Sequence, residues 1–167
     1  MPTFSQHVLQ AKHNFNVLAQ LNKQVNNSID WQVTVSFYTA LHLINSYIVK
    51  EANLHYKTHS EVDNVINCRG LSPYKLGEDE YVSYEILKNL SRRSRYICHH
   101  EAENDNPNHA FLIDEKHLLK ALKELDKLLL YFNSKYNLEI EPIKIFSKNI
   151  SASDKFNFFI TPAQIVL

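Results

Sequence analysis

The stretch from residue 30 to residue 51 limits the possible folds more than any other part of the sequence. Read at helical spacing, it carries two apolar stripes instead of one. The first stripe contains Trp31, Val35, Tyr38, His42, Asn45 and Val49, and the second contains Val33, Phe37, Leu41, Ile44 and Ile48. The stretch is too long for a β-strand, despite its β-branched side chains. A helix that is apolar on two sides belongs at the centre of a helical bundle.

The rest of the sequence favours more helices around that central one. Its 167 residues include only 2 Gly and 5 Pro, so helix breakers are few. Apolar residues at helical spacing predict further helices over residues 4–22, 59–67, 78–98 and 114–135. Thr58 and Glu61 form a predicted capping box, and Ser28 or Asp30 is the predicted N-cap of the central helix. We therefore expect an all-α protein, an up-down bundle of four or five helices over residues 1–137.

Residues 138–167 differ in character from the bundle. Apolar and polar residues alternate on both sides of Pro142, and an aromatic cluster follows at Phe156, Phe158, Phe159 and Ile160. This pattern predicts an extended or β-like tail, such as a small hairpin, that packs on the bundle or on a partner. If the cluster is exposed, it indicates an interface with another protein.

Composition and charge exclude several classes of function. No apolar run is long enough to span a bilayer, and the N-terminus lacks the pattern of a secretory signal. Cys68 and Cys98 have no metal-ligand spacing, which is typical of reduced thiols in a cytoplasmic protein. The formal charge is zero, with 18 Lys and Arg against 18 Asp and Glu, so any phosphate binding must be local. We expect a cytoplasmic protein without a membrane partner.

Cationic and imidazole side chains cluster near the predicted end of the helix over residues 78–98: Arg92, Arg93, Arg95, His99 and His100. Residues four or seven apart share one face of a helix, which places Arg92 and Arg95 on the side of His99. An arginine fork binds phosphate, and a histidine near neutral pH can move a proton to or from a ribose hydroxyl. The cluster predicts metal-independent RNA cleavage. The alternative is a solvated basic helix end that complements the helix dipole.

A second polar set, predicted to face inward, consists of His13, Asn14, Tyr38, His42 and His59. Buried imidazoles need hydrogen-bond partners, which the other members of this set can supply. The set predicts either a satisfied core network or a small-ligand pocket between helices. No metal site or cofactor is predicted, because the capping box leaves His55 outside the helix that begins near His59 and no third ligand follows at a diagnostic spacing.

Several short stretches together resemble small prokaryotic proteins of the HEPN family. They are Ala11-Lys12-His13-Asn14, Asp30-Trp31, Phe37-Tyr38-Thr39-Ala40-Leu41-His42, His55, His59, Leu90-Ser91-Arg92, Arg95-Tyr96 and Leu122-Lys123-Glu124-Leu125-Asp126. The resemblance covers roughly residues 4–137 and not the tail. It implies a helical bundle that is commonly paired as a homodimer. In many members it also implies a metal-independent ribonuclease that acts as a toxin or in defence against phage.

The ribonuclease motif of that family is an arginine, usually followed by a polar residue, and then a histidine after four to six residues. Arg95 to His100 fits with four intervening residues, Arg93 to His99 with five, and Arg92 to His99 and Arg93 to His100 with six. Arg95 departs from the pattern because Tyr96 follows it. Other HEPN members are not nucleases, so the resemblance also implies an accessory module that binds a cognate protein partner.

Overall fold

The computed structural model describes residues 1–25, 27–95 and 113–161. These residues form five helices and one pair of short strands: α1 (Phe4–Gln24), α2 (Ile29–Ala52), α3 (His59–Ile66), α4 (Glu78–Arg95), α5 (Glu115–Tyr136), β1 (Ile143–Lys144) and β2 (Phe159–Ile160). The prediction of an all-α bundle with a short β-like tail is confirmed. None of the helices in the described ranges has the length and apolar character needed to cross a membrane.

The centre of the bundle is α2, which packs against α1, α4 and α5. Phe37, Ala40 and Ile44 have no exposed surface, because α2 buries side chains around most of its circumference. Trp31 departs from the predicted stripe and is 59% exposed. In this first turn the buried residues are Gln32 and Val33, and adjacent helical positions point about 100° apart.

The predicted capping box at the start of α3 is confirmed, and α5 also begins with a capping residue. The Thr58 hydroxyl accepts a hydrogen bond from the Glu61 backbone N–H, and the Glu61 carboxylate accepts one from the Thr58 backbone N–H. Asp114 caps α5 through two backbone N–H groups in the first turn. The N-cap of α2 is Ser28, one of the two predicted residues, but its hydroxyl donates to the carbonyl of Val25 and makes no capping hydrogen bond to α2.

The tail packs on the bundle through its aromatic cluster. Phe158 and Phe159 are only 6% and 1% exposed, and the Phe159 ring lies 5.4 Å from the Phe15 ring of α1. The idea that this cluster is an exposed interface is therefore wrong for these two side chains. The hairpin alternative is also wrong, because β1 and β2 are parallel, with Ile143 opposite Phe159, whereas a hairpin joins antiparallel strands.

Two buried polar side chains satisfy the backbone of this tail. The Asn22 side chain donates to the carbonyl of Phe146 at 2.7 Å and accepts from its N–H at 2.7 Å. The carboxylate of Asp126 accepts from the backbone N–H groups of Asn157 and Phe158. Both contacts join residues far apart in the sequence, so the tail adds long-range contacts to a bundle built of local helices.

Candidate functional site

Arg95, the last residue of α4, is held against Tyr38 of α2. Its Nη1 donates to the Tyr38 hydroxyl at 3.3 Å, and its guanidinium carbon lies 5.7 Å from the centre of the Tyr38 ring. Its Nε donates to the carbonyl of Ser91, one turn earlier in α4. The Thr34 and Ser94 hydroxyls, 2.8 Å apart, join the same two helices beside it. These contacts fix the direction of a guanidinium group at the end of α4.

His59, the first residue of α3, comes to the same place. The residue is exposed, but its ring centre lies 5.5 Å from that of Phe37, and Phe37 in turn contacts the Tyr38 ring at 5.4 Å. Partial burial lowers the pKa of His59 first, and the positive charge of Arg95 lowers it further, against an opposing effect of Asp63. A histidine with a lowered pKa is neutral at pH 7 and can accept a proton.

A partly buried ion pair joins the two helices that carry these residues. The Lys88 ammonium of α4 contacts the Asp63 carboxylate of α3 at 2.6 Å and lies over the Tyr84 ring. Lys88 and Arg95 are seven residues apart on α4, and His59 and Asp63 are four apart on α3, so each pair shares one helix face. The charge of Lys88 is offset by Asp63. We call Tyr38, His59, Asp63, Lys88 and Arg95 the α3–α4 cluster.

The remaining residues of the predicted catalytic group have different positions. Arg92 and Arg93 are exposed in the last turn of α4. His99 and His100 lie outside the described residues. Of the predicted Arg/His group, the structure therefore places Arg95 in the α3–α4 cluster and leaves Arg92 and Arg93 on the surface nearby.

The second predicted polar set does not form one network. Tyr38 and His59 join Arg95, as described above. His13 is exposed, and Asn14 accepts a hydrogen bond from Gln10 on the same helix, so the inward-facing prediction is wrong for His13.

His42 belongs instead to a group of three histidines that the sequence patterns did not single out. Its Nδ1 lies 3.1 Å from the Nδ1 of His7 in α1, and the His7 ring stacks on the His55 ring with centres 5.6 Å apart. Burial is the largest cause that lowers the pKa of His7 to about 4, followed by the charges of His42 and His55. Residues 7, 42 and 55 follow no common spacing, so only the tertiary fold reveals the group.

The α3–α4 cluster therefore combines a positioned guanidinium with an exposed, neutral imidazole. Within residues 1–25, 27–95 and 113–161, no three His, Cys, Asp or Glu side chains are grouped as ligands of a metal ion.

Comparison of the chain with family models, with curated proteins and with solved structures gave no match.

Proposed function

We propose that this protein is an endoribonuclease of the HEPN type that cleaves RNA at the α3–α4 cluster without a metal ion. The observation that carries the proposal is that the Tyr38 hydroxyl holds the Arg95 guanidinium and that the charge of Arg95 acts on His59 and lowers its pKa. A fixed cation next to a neutral imidazole suits a reaction that develops negative charge on phosphate while a proton is removed.

In this reaction His59 takes the proton from a ribose 2′-hydroxyl, and the resulting oxygen attacks the adjacent phosphorus. Arg95 holds the phosphate oxygens as their charge increases. The bond from phosphorus to the 5′-oxygen then breaks, and that oxygen takes a proton from an acid. His99 or His100 is our candidate for the acid, and Arg92 and Arg93 would attract the flanking phosphates. The products are a 2′,3′-cyclic phosphate and a 5′-hydroxyl.

The proposal is tested by incubating the purified protein with labelled RNA in EDTA. We expect cleavage by the wild-type protein and none above background by the Arg95→Ala, His99→Ala, His100→Ala triple variant. An otherwise identical oligonucleotide with 2′-deoxy sugars should stay intact, because it lacks the attacking hydroxyl. Equal cleavage by the two proteins would remove this site from consideration.

A second candidate function is the binding of a protein partner, and a groove between α4 and α5 favours it. Val82 and Leu130 line this groove and are 41% and 44% exposed. The groove has a volume of about 620 Å³ and an acidic end at Glu78, Asp79 and Glu80. Exposed apolar side chains in a groove are typical of docking surfaces. We propose a second copy of the chain as the first partner to test, before a cognate protein of another kind.

Sedimentation velocity tests this pairing directly. We expect the wild-type protein to sediment as a dimer and a Val82→Glu, Leu130→Glu variant as a monomer, because two carboxylates would have to lose water in the interface. Lys120→Glu, an exposed change elsewhere on α5, is the control and should leave the dimer intact. A wild-type protein that stays monomeric at high concentration would contradict self-pairing.

A further inference from the structure

Three imidazole rings from three separate segments meet at one side of α2. His7 comes from the second turn of α1, His42 from the middle of α2, and His55 from the connection between α2 and α3. The His7 ring lies between the other two, with its centre 5.4 Å from that of His42 and 5.6 Å from that of His55. His7 is only 5% exposed. We call these three residues the histidine cluster.

The contact between His7 and His42 depends on their protonation states. Their Nδ1 atoms are 3.1 Å apart, so one must carry a hydrogen and the other must be bare. If both rings are protonated, two N–H groups point at each other at this distance and the hydrogen bond is lost. The contact thus requires that at least one ring be neutral.

His7 also has a polar atom that the fold leaves without compensation. Its Nε2 is buried and has no hydrogen-bond partner among the described residues, and the same is true of Nδ1 of His55. A buried ring nitrogen without a partner is costly, and a positive charge on that ring would be more so. Protonation of His7 in place is therefore opposed by its surroundings as well as by its neighbours.

We propose that the histidine cluster is an acid-sensitive latch that holds the start of α1 and the α2–α3 connection against α2 and releases them on mild acidification. The latch consists only of contacts within this chain. The proposal therefore goes beyond RNA cleavage and does not depend on it. Release would also reach the α3–α4 cluster, because His55 precedes His59 by four residues on the segment that leads into α3.

The charged groups around the latch do not favour a charged His7. The pKa of His7 is lowered by burial and by the charges of His42 and His55, and the pKa of His42 is lowered by burial. Other ionisable side chains lie on the elements that carry or contact the three rings. On α1, α2 and the α2–α3 connection they include Lys12, His13, Lys23, Asp30, Tyr38, Tyr47, Lys50, Glu51, Tyr56 and Lys57. On α3, α4 and α5 they include His59, Glu61, Asp63, Lys88, Arg95, Lys135 and Tyr136. Among these, Glu51 accepts a hydrogen bond from Tyr136, and Glu61 is bound at the start of α3.

The direction of the pH effect follows from the lowered pKa. An unfolded histidine titrates near 6.5, whereas His7 in the folded protein titrates at about 4, so the unfolded state binds more protons between these values. The folded state is therefore most stable above pH 6.5 and loses stability as the pH falls towards 4.

The test compares urea unfolding of the wild-type protein and His7→Phe between pH 7.5 and pH 5. Phe keeps a flat ring in the buried position but cannot take up a proton. We expect the wild-type unfolding constant to rise by roughly 30-fold more than that of His7→Phe over this range. His13→Asn, which removes an exposed histidine of the same helix, should behave like the wild type. Parallel pH profiles for the wild type and His7→Phe would overturn the proposal.

A second measurement needs no variant of the cluster and no RNA. Histidine ring signals of the wild-type protein, followed by NMR from pH 8 to pH 4, should show His7 and His42 titrating below 6.5, the usual pKa of histidine. Amide hydrogen exchange of residues 4–11 and 53–58, corrected for the intrinsic rate, should rise as these rings titrate. Titration midpoints of 6.5 or higher for His7 and His42 would overturn the latch, whether or not the protein cleaves RNA.

Discussion

Replacing Arg95 by alanine is expected to slow the cleavage of RNA by roughly 100- to 1,000-fold, the usual effect of removing one positioned donor to a developing oxyanion. The Arg95 guanidinium is oriented before substrate binds, because Tyr38 and Ser91 accept its hydrogen bonds. Its loss should lower the rate of the chemical step more than the affinity for RNA. Single-turnover cleavage, with binding measured separately on a 2′-deoxy oligonucleotide, distinguishes the two effects.

Three further variants show whether the orientation of this arginine matters. Arg95→Lys keeps the charge but loses the planar fork, so it should recover only part of the rate. Tyr38→Phe removes the hydroxyl that accepts from Arg95 and keeps the ring, and its effect should be smaller than that of Arg95→Ala. Arg69→Ala removes an exposed arginine from a turn outside the α3–α4 cluster and is the matched control. Equal rates for Arg69→Ala and Arg95→Ala would contradict a specific role.

The pH dependence of the same reaction tests His59. Because its pKa is lowered below the usual 6.5, the neutral, proton-accepting form persists to a lower pH than in a free histidine. The rate should therefore fall only when the pH drops through that lowered pKa. His59→Asn should be slow and should lose this acidic limb. A wild-type limb that persists in His59→Asn would assign the base to another residue, with His99 and His100 the first to test.

The helical part of the fold follows from local sequence patterns. The two apolar stripes of α2 predict a central helix because burial around a 3.6-residue period leaves that pattern in the sequence. Thr58 and Glu61 predict the start of α3 because both hydrogen bonds of a capping box form within four residues. The exposure of Trp31 could not be predicted, since it depends on which neighbours reach the first turn of α2.

The candidate site was predictable only in parts. Arg95 and Tyr38 belong to different sequence patterns, one a basic helix end and the other an inward polar set, and nothing local indicates that they form a hydrogen bond. The effect of the Arg95 charge on His59 likewise depends on how α3 lies relative to α4. His7 carries no signal at all, because a single histidine near the start of an amphipathic helix is typical of a solvent-exposed position.

The pairing of the two strands in the tail could not be predicted from local sequence patterns either. Alternating residues predicted short strands, and two strands are present, but their parallel pairing joins segments separated by a loop. A parallel register is set by contacts distant in sequence, and here the buried carboxylate of Asp126 contributes to it. A substitution of Asp126 should therefore have a large effect on the free energy of unfolding.

Asp126→Ala is expected to lower the free energy of unfolding by about 2–4 kcal/mol, because it leaves the buried N–H of Phe158 and the partly buried N–H of Asn157 without an acceptor. Asp126 is 5% exposed, and its Oδ1 accepts from the N–H of Asn157 at 3.0 Å and of Phe158 at 2.8 Å. Its Oδ2 also accepts from the Asn157 side chain at 2.8 Å. No shorter side chain at this position can reach these groups.

Urea unfolding of the wild type, Asp126→Ala and Asp126→Asn measures this effect. The asparagine variant keeps one oxygen acceptor but points an N–H₂ group at the remaining donors. Its free energy of unfolding should therefore lie between those of the wild type and Asp126→Ala. Glu141→Ala, an exposed change in the same tail, should stay within about 0.5 kcal/mol of the wild type. In Asp126→Ala, the backbone amides of Asn157 and Phe158 should exchange their hydrogens faster than in the wild type, while the amides of the helices stay protected. If Asp126→Ala is as stable as Glu141→Ala, the carboxylate does not anchor the tail, and burial of Phe158 and Phe159 alone must hold it on the bundle.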